Sequence, residues 1–261
     1  MPELPEVENI RRGLLSKLKG RRIKKIEVLA PKIVSGKGNI RPASEKKKSE
    51  FVRGLTGEKF ETIERRGKNL IFRFRSGKVL LAHLKMSGEF LYRAERGQAP
   101  GSMHARVVFY LDRATLYYND TRRFGYLLYY PSYSALMKSG HFLEMGLDPF
   151  TREFKLANFA ARIGGKTGRL KSVLTNQSVV SGIGNIYADE ICFRAGIRPM
   201  RRANSLSAKE IKNLHAAIRS VLRRATLLGG SSVRSYRRAD GSRGRYAEEH
   251  KVYGRAGEKC F

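Results

Sequence analysis

From residue 23 to residue 130 the chain keeps to one pattern, and at Pro131 it abandons it. Short runs rich in β-branched and aromatic residues follow one another: Ile23–Leu29, Lys59–Ile63, Leu70–Phe74, Val79–Leu84, Val107–Leu111, Thr115–Tyr118 and Tyr126–Tyr130. Turn signals such as Ser76-Gly77 and Asp112-Arg113 separate them. Strands this short and closely spaced bury their apolar faces only by stacking, which predicts a β-sandwich or barrel. After Pro131 the patterning is helical over Glu153–Ile163, Arg169–Asn176, Ile186–Ala195 and Ser207–Leu228. Ser207 followed by Glu210 reads as a capping box, and Gly229-Gly230 as the end of that last helix. Residues 5 to 19 form a further expected helix ahead of the strands. Pro5 suits its first position, Glu6 and Glu8 the positive end, Lys17 and Lys19 the other end, and Gly20 the stop. The expected fold class is therefore α+β. Residues 1–131 make a sandwich or barrel domain with an N-terminal helix, 132–146 a linker, 147–228 a helical domain and 229–261 a tail dense in Arg, Ser and Gly. Such an order implies a cleft between the halves. Gly36–Lys48, with three consecutive lysines, reads as a mobile basic loop.

Charge narrows the partner. Lys and Arg total 53 against 23 Asp and Glu, a formal net charge of +30, and so cationic a surface calls for a polyanion. Nucleic acid is the first choice, since each neutralised phosphate releases counterions; an anionic membrane is the competitor. No long uncharged apolar run occurs, so a spanning helix is not expected. The opening Met-Pro-Glu-Leu-Pro-Glu-Val-Glu is acidic where a secretory signal is basic. Only Cys192 and Cys260 occur, which argues against a disulfide framework and fits a reducing, cytoplasmic setting.

Several residues carry possible chemistry. Removal of Met1 would expose Pro2 as a secondary amine, and an N-terminal amine with a reference pKa of about 7.7–8.0 is partly unprotonated near neutrality. Such an amine attacks a sugar C1′ as a Schiff-base lysine attacks a carbonyl. Glu3 and Glu6 stand where they would move protons or stabilise a developing cation. The other reading of this segment is a plain helix entry whose acids satisfy the dipole. In Gly182-Ile183-Gly184-Asn185-Ile186-Tyr187-Ala188-Asp189-Glu190, a glycine-rich turn opens a helix, an arrangement suited to a phosphate. A tight interhelical turn needing positive φ explains it equally. Asn119-Asp120-Thr121-Arg122-Arg123-Phe124-Gly125 sets arginines beside a Phe, as a wedge entering a base stack requires. Met86, in His83-Leu84-Lys85-Met86-Ser87-Gly88, is a second wedge candidate. Core packing is the alternative for Phe124 and Met86. Lys68, in Arg65-Arg66-Gly67-Lys68, reaches a phosphate or is simply solvated. His83 and His104 lack partners at metal-ligand spacing, so no catalytic metal is expected.

Together these segments resemble the formamidopyrimidine-DNA glycosylase family of bacteria. The matching residues are Pro-Glu-Leu-Pro-Glu-Val-Glu at 2–8, Arg-Gly-Lys at 66–68, His-Leu-Lys-Met-Ser-Gly at 83–88, Asn-Asp-Thr-Arg-Arg-Phe-Gly at 119–125 and the Gly-Ile-Gly-Asn-Ile-Tyr-Ala-Asp-Glu run at 182–190. Ala-Gly-Ile-Arg-Pro at 195–199 and Val-Tyr-Gly-Arg at 252–255 continue it in order. The resemblance implies a helix–two-turn–helix domain after the sandwich and a duplex, carrying an oxidised base or an abasic site, bent across the cleft. It implies Pro2 as nucleophile, Glu3 assisting base loss with Glu6 in support, and Lys68 and Asn185 on phosphates. Met86, Arg122 and Phe124 match the void-filling trio, and His83, His104, Arg123 and Lys171 complete the DNA-binding set. Segment 229–246 corresponds to the loop that closes over an everted purine. A monomer acting on the bacterial nucleoid is the expected setting.

One departure is large. The family ends in a zinc hairpin of four cysteines, and here only Cys260 matches, so zinc is expected to be absent along with the hairpin arginine. A smaller one is Asn176 before Gln177, where relatives carry acidic residues. The expected activity is excision of oxidised purines with β,δ-elimination. The competing readings are an oxidised-pyrimidine glycosylase of the endonuclease VIII type and a non-catalytic binder of damaged DNA.

Overall fold

The computed structural model describes residues 1–37, 41–94, 104–233, 236–238 and 240–259. The first helix, α1 (Leu4–Leu18), repeats apolar residues at helical spacing, and Val7, Ile10, Leu14 and Leu18 are all buried. Strand β1 (Ile23–Val28) leads into a 3-10 turn at Pro31–Val34 and then α2 (Glu45–Leu55). Helix α2 corrects the end of the expected loop, residues 45–48, while 38–40 lie outside the described residues: the Ser44 hydroxyl accepts from Lys47 N–H at its start, and Phe51 and Leu55 anchor it in the core. The lysine run that suggested a loop is mostly the exposed face of this helix.

Strands β2 (Phe60–Arg66), β3 (Asn69–Phe74), β4 (Val79–His83), β5 (Gly88–Arg93), β6 (Ala105–Leu111), β7 (Ala114–Asp120) and β8 (Tyr126–Tyr130) follow. They form two antiparallel four-stranded sheets, ordered β1-β6-β7-β5 and β2-β3-β4-β8. Strand β5 was not anticipated, although its residues alternate between buried and half-buried, with Phe90 and Tyr92 turned inward. Aromatic rings join the two sheets: Phe72 of β3 lies 5.3 Å from Phe90 of β5, which in turn lies 5.1 Å from its cross-strand neighbour Tyr118 of β7. Each such fully buried ring stabilises the sandwich by about 1.5–3 kcal/mol over exposure.

A short helix α3 (Tyr133–Lys138), capped by Ser132, occupies part of the expected linker. Helices α4 (Leu156–Gly164), α5 (Leu170–Thr175), α6 (Asn185–Ala195) and α7 (Ala208–Leu227) share a second core built on Phe154, Phe159, Tyr187, Ile191, Leu214 and Leu222. The Ser207–Glu210 capping box at the start of α7 is present in both directions.

The two compact units are not the linear domains that the sequence suggested. One comprises residues 1–2, 7–141 and 233–243, the other residues 3–6, 142–232 and 244–261. Hydrogen bonds of Glu3, Leu4 and Glu6 with the α6 region and Ser231 assign residues 3–6 to the helical unit, while Tyr236 belongs to the sandwich core. Among the described residues no helix is long and apolar enough to cross a membrane.

Candidate active site

In the helical unit the glycine-rich turn and the acidic N-terminus turn out to be one site. Glu3 is 3% exposed. Its carboxylate accepts from the backbone N–H of Gly184 at 2.6 Å, Ile186 at 3.0 Å and Tyr187 at 3.4 Å. The first turn of α6 therefore spends its unpaired amides and positive dipole on a side chain of this chain. That corrects the expectation that these backbone groups cradle a phosphate; Asn185, exposed at the first position of α6, keeps its side chain outward. The two glycines serve different ends. Gly182 has φ +96°, the conformation expected of a tight turn, whereas a Cβ at Gly184 would lie 2.5 Å from the Glu3 carboxyl carbon.

Glu6 is buried behind it. Its Oε1 accepts from the Tyr187 hydroxyl at 2.5 Å and from Ser231 N–H at 2.8 Å, and its Oε2 accepts from Glu3 N–H at 2.8 Å. Burial raises the Glu6 pKa against the opposing pull of these donors. Burial and the neighbouring Glu6 likewise raise the Tyr187 phenol well above its ordinary value, so it donates. Pro2, one residue before Glu3, is buried, and its nitrogen carries Met1, which is 51% exposed. Gln177 shapes the turn, donating to Thr175 O and Ile183 O and accepting from Gly182 N–H. Asn176 accepts from Ser178 N–H at 2.9 Å, a turn role that needs a carbonyl-type oxygen but no charge.

The sandwich unit gathers a second group. Lys68 sits with Gly67 in the two-residue turn between β2 and β3 and is 6% exposed, so it is no solvated lysine. Its neighbour Asn69 pairs in register with His83 at the end of β4. The His83 Nδ1 accepts from Lys85 N–H at 3.0 Å, which leaves the proton of the neutral ring on Nε2. Burial, then the charges of Lys85, Lys68 and His141, pull the His83 pKa down to about 3. His141, whose Nε2 lies 3.3 Å from the Tyr126 hydroxyl, is pulled down to about 4, again chiefly by burial.

These two rings give a pH prediction. Unfolded, each takes up a proton near 6.5; folded, each resists until pH 4 or below. The unfolded chain thus binds more protons in acid, and stability rises with pH across this window. The contribution is complete above 6.5 and is lost as pH falls towards 4 and then 3. The melting temperature should fall through this range, and His83→Gln should flatten the slope. A variant with an unchanged slope would exclude His83 as a source.

The wedge candidates are already assembled. The Arg122 Nη1 lies 3.0 Å from Met86 Sδ, and its guanidinium stands 4.6 Å over the Phe124 ring. Met86 is 42% exposed, Arg122 and Arg123 are exposed and Phe124 is half-buried, so none of them is core. His104 is exposed, and its carbonyl accepts from Asp120 N–H. Lys171 pairs with Asp189 at 2.8 Å within the helical unit, so its charge is partly neutralised.

Sequence reasoning passed over Arg41, Ser87, Tyr187 and Ser231 as site residues. Ser87 and Tyr187 lay inside the motifs as quoted and Ser231 inside the segment 229–246, whereas Arg41 gave no local signal. Cys192 is buried, and burial first, with Asp189 beside it, pushes its thiol up to about 12. Among the described residues no group of three or more His, Cys, Asp or Glu is placed to hold a metal. Cys260 lies outside the described residues.

Comparison with known proteins agrees with this geometry. Residues 1–127 match the family model for the formamidopyrimidine-DNA glycosylase N-terminal domain, and residues 145–237 that for its H2TH domain. The formamidopyrimidine-DNA glycosylase of Desulfitobacterium hafniense is 42% identical over 260 residues, covering 100% of this chain and 91% of its own. That of Bacillus subtilis is 41% identical over 265 residues, covering 100% and 90%. Among solved structures, the Lactococcus lactis enzyme bound to DNA containing an abasic site superposes with a TM-score of 0.87 at 34% identity. A mutant of it with Fapy-dG-containing DNA gives 0.88 at 35%. Each covers 99% of this chain and 90% of the other. The chain therefore belongs to the formamidopyrimidine-DNA glycosylase family.

Proposed function

We propose that this chain excises oxidised purines, 8-oxoguanine and formamidopyrimidines, from duplex DNA and then cleaves the strand, with Pro2 as nucleophile. Once Met1 is removed, the Pro2 nitrogen attacks C1′ of the damaged nucleotide. The bond from C1′ to the base breaks, and the base departs with a proton. Glu3, seated next in the chain on the start of α6, is the group assigned to that proton transfer and to the cationic intermediate. The C1′–O4′ bond then breaks, with O4′ taking up a proton, and the resulting ring-opened iminium acidifies the C2′ proton. Its loss breaks the C3′–O bond, and a second elimination breaks the C5′–O bond, which leaves phosphate ends. Hydrolysis then frees the Pro2 amine.

The observation that carries this reading is the Glu3 carboxylate, fixed by three backbone amides one residue from the nucleophile. Lys68, His83 through its Nε2–H, Asn185 and the exposed Arg123 are assigned to phosphates, with His104 and Lys171 as further DNA contacts. Met86, Arg122 and Phe124 fill the space left by the extruded base. One copy of the chain carries every residue named, and the setting we assign is the nucleoid DNA of a bacterial cytoplasm.

The test is a borohydride trap on duplexes containing 8-oxoguanine, formamidopyrimidine, an oxidised pyrimidine or an abasic site. A covalent adduct with the two purine lesions and with the abasic site is expected. A preference for the pyrimidine lesion would assign the chain to the other branch. Tight binding with no adduct on any duplex would remove the catalytic reading.

A further inference from the structure

We propose that Arg41 is a positioning residue that holds the wedge loop in its working conformation. The inference rests on the assignment of Met86, Arg122 and Phe124 to the space vacated by an extruded base.

Arg41 is 7% exposed, and its guanidinium is spent on main-chain carbonyls. Its Nε donates to Lys32 O at 2.6 Å, its Nη1 to Phe124 O at 3.5 Å, and its Nη2 to Arg123 O at 3.3 Å and to Gly125 O. Three successive carbonyls of the wedge loop are therefore gathered on one planar fork, tied to the 3-10 turn at Pro31–Val34. A planar, permanently charged donor with five N–H groups does this; an ammonium has neither the span nor the geometry.

The loop needs such a restraint. Arg123 adopts φ +55°, a left-handed conformation that is unfavourable for a residue other than glycine. This twist places Arg122 and Phe124 so that one stacks on the other. A second set of bonds restrains the same loop. Buried Asp120 accepts from the Ser87 hydroxyl at 2.5 Å and from Gly125 N–H at 2.7 Å, and the Ser87 oxygen accepts from Arg122 N–H at 3.0 Å. Ser87 thereby joins the Met86 loop to the Arg122 loop. Arg41 and the Ser87–Asp120 pair act on backbone alone, leaving the three wedge side chains exposed or half-exposed towards a duplex.

A wedge is required when a stacked base is extruded, and much less when the base is already missing. The full chain carrying Arg41→Ala is compared with wild type in two assays: single-turnover excision from a lesion duplex, and borohydride trapping on a duplex with a pre-formed abasic site. Excision should slow by about ten- to a hundredfold, the scale on which a small misplacement acts. Trapping should change by less than about threefold, because the nucleophile and its pKa are untouched. A merely structural role lowers both by the same factor as the folded fraction falls, and that outcome, like no change in either, overturns the proposal. Arg41→Lys should show the same split at smaller size, and Ser87→Ala should reproduce it; these two decide if Arg41→Ala does not fold. If wild type itself forms no adduct on the abasic duplex, the assignment of the site fails, and the Arg41 variants cannot produce that result.

Discussion

A tag placed ahead of Pro2 is expected to abolish the borohydride adduct and to slow base excision by about a thousandfold or more, the scale on which loss of a nucleophile acts. The reason is electronic. A nitrogen acylated by any preceding residue shares its lone pair with that carbonyl and ceases to be a nucleophile. A free prolyl nitrogen is a secondary amine, and reaction with a C1′ carbonyl equivalent gives a cationic iminium without further proton loss. Met1 is half exposed and Pro2 is not, so the group that must be removed is the one within reach of solvent. Pro2→Gly, correctly processed, should retain a weaker adduct, because a primary amine still reacts but the ring no longer sets its backbone direction. The measurement is adduct yield on an abasic duplex, with the N-terminus verified by mass. A tagged chain that traps as well as wild type would place the nucleophile elsewhere, and buried Lys68 would be the next amine to replace.

The second large effect is expected at a residue with no side chain. An alanine Cβ at position 184 would stand 2.5 Å from both Cδ and Oε1 of Glu3, closer than real Cβ contacts come. Because Gly184 has φ −130°, the backbone itself tolerates alanine, so the carboxylate is what must give way. Displacing it strands the amides of Gly184, Ile186 and Tyr187, at a stability cost of about 1–3 kcal/mol for each buried group left unpaired. It also moves the proposed proton-transfer group, and excision should fall by about a hundred- to ten-thousandfold, the usual worth of a positioned acid or base. Glu3→Gln should lose a similar factor in excision at a smaller stability cost, since its shape is conserved but its amide nitrogen cannot accept from the α6 amides. Both should still trap an abasic duplex, where no base remains to be expelled. Wild-type excision by Gly184→Ala would show that the seat of Glu3 on α6 has no bearing on catalysis.

Local patterns carried the elements well, because strand and helix signals depend on residues two to four positions apart. The runs at Val79–Leu84 and Tyr126–Tyr130 and the Ser207–Glu210 box lie where the chain forms β4, β8 and the start of α7. Two segments escaped for local reasons. The lysines of α2 masked a helix whose burial comes from Phe51 and Leu55 further on, and β5 opens on a glycine beside a wedge motif. The motifs located the candidate site, yet they did not assign partners within it. The α6 turn has the backbone of an anion cradle, and nothing in Gly-Ile-Gly-Asn indicates that the anion is Glu3.

The sequence by itself thus determined the α+β order, the cationic surface and family membership, all of which reside in neighbouring residues or in sums over the chain. Only the tertiary structure decided which groups meet. Glu3 finds Gly184 across 181 positions, Glu6 finds Ser231 across 225, and Arg41 finds Gly125 across 84. The physical reason is that a buried charge must be met by donors or acceptors wherever folding brings them. That requirement has no period along the chain, so it leaves no pattern there to read.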